Sequence, residues 1–170
     1  PYGLGLFSSQ AATKHYNSGN EHLEQERYRQ AVEEFNEAIR LSPEDAHAHL
    51  NRGVAHSYLG QYRRAIQDYE EAIRLDPEGA LAYHNRGVVY GALGQYERAI
   101  QDHDEVIRLD PQDKKAYNNR GIAYGRDLGQ YERAIKDFDE AIRLDPQLAL
   151  AYSPRGLAYA HLGQYDRAIQ

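Results

Sequence analysis

Five glycines, Gly19, Gly53, Gly87, Gly121 and Gly156, recur at intervals of 34, 34, 34 and 35 residues. Alanines Ala31, Ala65, Ala99, Ala134 and Ala168 keep the same beat, as do Pro43, Pro77, Pro111 and Pro146. A period of this length marks stacked supersecondary units, each burying its apolar face against its neighbours. No other feature of the chain narrows its fold so far.

Within a unit the apolar pattern is helical and broken once. In the third unit Tyr83, Arg86, Gly87 and Tyr90 share a face at i, i+3, i+4, i+7 spacing. Leu93-Gly94-Gln95 interrupts the pattern, and Ala99, His103, Val106 and Ile107 mark one face of a second helix. Asp110-Pro111 ends it, since proline disfavours a helical residue before it and cannot continue the ladder. Gly87 and Ala99 are small enough to let the two helices approach closely.

A small residue at the eighth position, tyrosine at the eleventh and alanine at the twentieth resemble the tetratricopeptide repeat family. Gly87, Tyr90, Ala99, His103, Val106 and Pro111 hold the motif places in the third unit. The resemblance covers residues 12–170 as units 12–45, 46–79, 80–113, 114–148 and a truncated 149–170, with 1–11 as an N-terminal extension or linker. It implies an all-α fold, an α-solenoid of antiparallel helix pairs stacked into a right-handed superhelix. First helices would line the concave face and second helices the convex one. The chain departs from the family at Arg52, Arg86, Arg120 and Arg155, where leucine is usual at the seventh position, and at His22 and His56 at the eleventh.

At 170 residues the chain is long enough for one domain with a sizeable core. Its net charge of −6 argues against nucleic acid, which rewards basic patches. Without cysteine it has no thiol chemistry. No apolar run approaches the roughly 20 residues that span a bilayer. No signal peptide is visible, which favours the cytoplasm. The chain begins at Pro1 rather than methionine, so an upstream segment is expected. It stops at Gln170, one turn into the fifth unit's second helix. Leu157 and Leu162 would then lack cover, and end-to-end self-association or another chain is expected to supply it.

The family's concave positions give a sparsely charged groove: His47, Leu50, Asn51, Val54, Ser57 and Tyr58 in the second unit, then Leu81, His84, Asn85 and Val88 in the third. The fourth unit adds Lys115, Asn118, Asn119, Ile122, Gly125 and Arg126. Through them runs a column, Asn17, Asn51, Asn85 and Asn119, each 34 residues from the next. An asparagine amide both donates and accepts, which matches the alternating groups of an extended backbone. The column resembles the asparagine ladder of family members that bind extended peptides. Asparagine is also simply tolerated on exposed helices, but four at a site of poor propensity favour a ligand. A carboxylate clamp is incomplete: Asn20 and Asn51 fit, whereas Tyr16, Leu81 and Asn85 stand where basic residues belong.

The seventh-position arginines lie beside the core and need partners. Asp68, Asp102 and Asp137 recur in the second helices as candidates, the alternative being an arginine row aimed into the groove. His47 and His49 stand roughly 200° apart on a helix and cannot share a metal. His103 and His56 take places of packed aromatics. No serine lies in a nucleophile-elbow setting, and the glycines belong to the repeat. No cofactor, metal or catalytic residue is expected, and the partner is a protein or peptide. Self-assembly, or service as an arm of a larger polypeptide, is the competing function.

Two irregularities remain. Ser153-Pro154 resembles a helix cap followed by a first-turn proline, so the fifth first helix should begin late or kink. YGRDLGQY at 124–131 carries one residue more than YGALGQY at 90–96. It predicts a longer helix or a π-bulge, with Arg126 and Asp127 bringing charge into the groove near Lys115.

Overall fold

Proline turns end each unit and glycine turns divide it, and the helices fall where these signals place them. A computed structural model describes residues 3–126 and 129–168, with side chains from residue 9 onward. Its helices are α1 (Gly3–Glu24), α2 (Tyr28–Leu41), α3 (Ala46–Tyr58), α4 (Tyr62–Leu75) and α5 (Ala80–Ala92). They continue as α6 (Tyr96–Leu109), α7 (Lys114–Arg126), α8 (Tyr131–Leu144), α9 (Ala149–His161) and α10 (Tyr165–Ala168). No strand occurs among the described residues. Consecutive helices pack as antiparallel pairs, the solenoid pattern expected. Residues 1–85 and 86–170 form two compact units. In the first, α1 packs on α2, α2 on α3 and α3 on α4. In the second, α6 packs on α7, α7 on α8 and α8 on α9.

The repeated glycine and aromatic form the core contact of each pair. A Cβ on Gly19 or Gly53 would stand 2.6 Å from the ring of Phe35 or Tyr69. On Gly87 or Gly121 it would stand 2.9 or 2.8 Å from His103 or Phe138. Only glycine admits rings this close, and His103, 2% exposed, fills its aromatic place as a packing residue. Around them Ala31, Phe35 and Ala55 close the first core. Ala134, Phe138, Ala141 and Ala151 close the second.

The turn inside each unit is stereotyped. Gln61, Gln95 and Gln164 donate their backbone N–H to the carbonyls of His56, Tyr90 and Tyr159 at 2.8–2.9 Å. The preceding glycines, Gly60, Gly94 and Gly163, have φ of 70–72°. Unit one makes the same turn with Glu26 at φ 56°, Arg27 donating to His22.

The anchors on either side of the extra residue near 127 are kept. Gln130 N–H still reaches the carbonyl of Tyr124, at 3.1 Å, across six residues instead of five, and Gly129 keeps a φ of 56°. Helix α7 has the same 13 residues as α5, and no π turn occurs among the described residues. The end of the expected longer helix falls on residues 127–128, outside the described residues. The Tyr124–Leu128 relation and Asp127 lie outside the described residues.

Helix α1 runs unbroken from Gly3, so the expected N-terminal extension is helical from that residue. One other expectation changes. Helix α9 does not begin at Ser153-Pro154 but at Ala149, with Pro154 in its interior. Proline there withholds a donor from the Leu150 carbonyl, a cost of about 3 kcal/mol. Packing of Ala151 against Ala134, Phe138 and Ala141 holds the turn before it in the helix.

Candidate functional site

The arginine row resolves first, because it decides what is free to bind. Arg52 donates through Nε and Nη2 to Asp68, Arg86 to Asp102 and Arg120 to Asp137, with shortest distances of 2.6–2.7 Å. The pairing is internal, and the alternative of an arginine row facing the groove is set aside. Two of these forks, and Arg155 at the same repeat position, have a further use not legible in the repeat. Arg52 Nη1 donates to Asn36, Arg120 Nη1 to Asp104 at 2.6 Å and Arg155 Nη1 to Asp139, all on the preceding second helix. Burial pushes the Asp137 carboxyl above the usual range even though Arg120 pulls it back. Further out, Arg40–Glu37, Arg74–Glu71, Arg108–Glu105 and Arg143–Glu140 are exposed pairs of one turn, as a solvated outer face requires.

With that charge neutralised, the first-helix faces are apolar and amide-rich. In the first unit Asn17 is exposed, while Asn51 and Asn85 are half-buried. Asn51 Nδ2 donates to Asn20 Oδ1 at 2.8 Å and to the Tyr16 hydroxyl at 3.3 Å. Its donors are thus engaged within the protein. Exposed His47 and buried Leu50 line a small hollow with Leu81, which is 57% exposed. Tyr58 stacks on Tyr28 at 4.7 Å, and His84 is half-buried.

In the second unit the groove is larger. A cavity of about 700 Å³ lies between α7, α8 and α9. Ile122, Leu150, Leu157, Phe138, Pro154 and Arg126 are among its walls. Leu150 and Leu157 are 73% and 62% exposed, seven residues apart on one face of α9. Arg126 and Ile122 also line a second hollow with Val88 and Asn119. So the structure brings Asn119, Ile122 and Arg126 together, with the α9 leucines that the asparagine pattern had left out. Their spacing of seven on a first helix was the available signal.

One candidate turns away from this groove, and one expected proximity is absent. Asn118 is buried, its Nδ2 on Asn119 Oδ1 at 3.4 Å, because a 100° step per residue turns it to the flank of α7. Lys115 lies at the opposite end of α7 from Arg126, about 16 Å along the axis, and is not its neighbour. No cluster of three metal-ligating side chains occurs among the described residues, and none of their helices is long and apolar enough to cross a membrane.

Paired helices with a glycine–aromatic contact, a left-handed turn residue and an open first-helix face define a helical-repeat protein. The chain belongs to the tetratricopeptide repeat family. A family model described as TPR repeat matches residues 19–60, 57–94 and 125–163, more than half the chain. Two models described as tetratricopeptide repeat match 80–113 and 104–136. No curated protein matches. Among solved structures, MamA from Desulfovibrio magneticus RS-1 is similar at 25% identity and TM-score 0.88, covering 94% of this chain and 89% of that one. A second MamA structure shares 23% identity at TM-score 0.86, over 94% of this chain and 87% of that one. YrrB, described as a TPR protein with an unusual peptide-binding site, shares 22% at TM-score 0.78, over 91% and 79%.

Proposed function

We propose that the chain is a non-enzymatic protein-interaction scaffold whose first-helix faces receive an extended peptide or a helix of a partner protein. The observation that carries this reading is the open apolar cavity of the second unit, about 700 Å³ with exposed leucines on its wall and Arg126 at its edge. Exposed apolar area of this kind marks a binding surface rather than a folding need. The asparagines supply amides for a partner's backbone, and Arg126 supplies a cation for an acidic group. YrrB, a fold relative described by its peptide-binding site, is consistent with this use.

Selection from a displayed peptide library tests it. Recovered peptides should lose binding to I122D/L157D or to N51A/N85A/N119A while both variants keep native helicity. Peptides indifferent to both variants would overturn the reading. Self-association draws on the same exposed leucines. It predicts instead a concentration-dependent sedimentation coefficient that I122D/L157D abolishes and the triple asparagine variant leaves unchanged.

A further inference from the structure

Two departures from the repeat, one in the first repeat unit and one in the second, meet across neighbouring helices. The tyrosine present as Tyr90, Tyr124 and Tyr159 is His56 here, and the aspartate present as Asp104 and Asp139 is Asn36. Both changes meet at a polar cavity of about 290 Å³, whose walls include Asn36, Arg52, His56, Arg64, Gln67 and Asp68.

The other units show what each change removes. There the residue equivalent to Arg64 lies over a tyrosine ring: Arg98 is 5.4 Å from the centre of Tyr90, Arg133 5.6 Å from Tyr124 and Arg167 5.9 Å from Tyr159. The shorter imidazole of His56 is drawn to Gln61, its Nδ1 donating to Oε1 at 2.7 Å. Arg64 is left with a 3.3 Å contact from Nη1 to the same oxygen. The Arg120 fork takes two carboxylates, Asp137 and, at Nη1, Asp104 at 2.6 Å. The Arg52 fork takes one, Asp68, and its Nη1 meets the neutral amide oxygen of Asn36 at 2.8 Å.

The wall residues therefore carry two guanidinium charges against one carboxylate. His56 does not add to them, since burial holds its pKa below the ordinary histidine value. One positive charge faces the cavity without a counter-charge among its walls. We propose that this cavity binds a small oxyanion, of carboxylate or phosphate size, between Arg52 Nη1 and Arg64, in the place that Asp104 fills on Arg120. At about 30 Å³ per water molecule there is room for such an anion with part of its hydration. Charge-assisted bonds from two guanidiniums are the interactions that recognise it.

The test follows the arginine Nε–Hε signals of Arg52 and Arg64 by NMR. Sodium phosphate and sodium acetate are titrated separately into the intact chain, with ionic strength held constant by chloride. Saturable shifts with at least one anion are expected, and the stronger of the two identifies phosphate or carboxylate as the natural chemistry. N36D supplies the missing carboxylate, and H56Y fills the cavity with the residue used by the later units. Each should weaken binding by about tenfold or more, as should R64Q at an exposed position that the fold does not need. No saturable shift with either anion overturns the proposal. So does affinity retained in R64Q or in any folded N36D or H56Y variant.

Discussion

Removing Arg120 tests how these repeats are held together, because one side chain ties a second helix to the one before it. Its two partners differ in exposure: the Asp137 side chain is 9% exposed and that of Asp104 52%. Losing the Asp104 bond costs little, since water takes over. Losing the Asp137 bonds strands a buried carboxylate, a penalty of about 3–5 kcal/mol. R155A is the internal comparison. Arg155 bonds Asp139, whose side chain is 50% exposed, so its loss should cost about 1 kcal/mol or less. Urea unfolding followed by far-ultraviolet circular dichroism should thus separate the two variants clearly. R120M/D137L, which replaces the buried pair by apolar groups, should recover most of the loss.

The pH dependence gives a second reading of the same variant. Asp137 is raised by burial and lowered by Arg120, so R120A raises it further. A carboxyl whose folded pKa lies above its unfolded value binds its proton preferentially in the folded state, so its contribution to stability declines as pH rises. The R120A deficit should be greatest at neutral pH and shrink on acidification. A deficit no larger than that of R155A, or one that is flat with pH, would refute the reasoning.

Three further outcomes follow from single positions. E26G should stabilise the protein by about 1 kcal/mol in the same urea assay, since Glu26 holds a φ of 56° that glycine adopts freely. G53A should destabilise it by about 1–3 kcal/mol, because the new Cβ would stand 2.6 Å from the Tyr69 ring; an unchanged midpoint would contradict the close contact. Burial lowers the His56 pKa, so the unfolded chain takes up that proton first. Stability should fall as pH drops through the ordinary histidine range, and H56Y should lessen that slope in thermal melts across pH.

The repeat made most of the fold legible, since its period, its glycine–aromatic pairs and its proline stops are local and recur. Even the Arg–Asp pairing could be anticipated, because a charge beside the core needs a partner at a fixed offset. Local rules misplaced Ser153-Pro154. They describe an isolated segment, whereas α9 gains its first turn by packing Ala151 on α8. The added residue near 127 leaves the anchor of the turn in place, since Gln130 N–H still reaches the Tyr124 carbonyl.

For the candidate site the division is sharper. The sequence by itself determined which residues stand on first-helix faces: Asn17, Asn51, Asn85, Asn119, Ile122 and Arg126 follow from helical phase alone. Only the tertiary structure decided which of their polar atoms are already spent, as Asn51 Nδ2 is on Asn20 and Tyr16. It alone showed Asn118 turned inward and Leu150 left in the open beside Leu157. Helical phase is a property of one segment, but burial and hydrogen bonding depend on what the neighbouring segment brings.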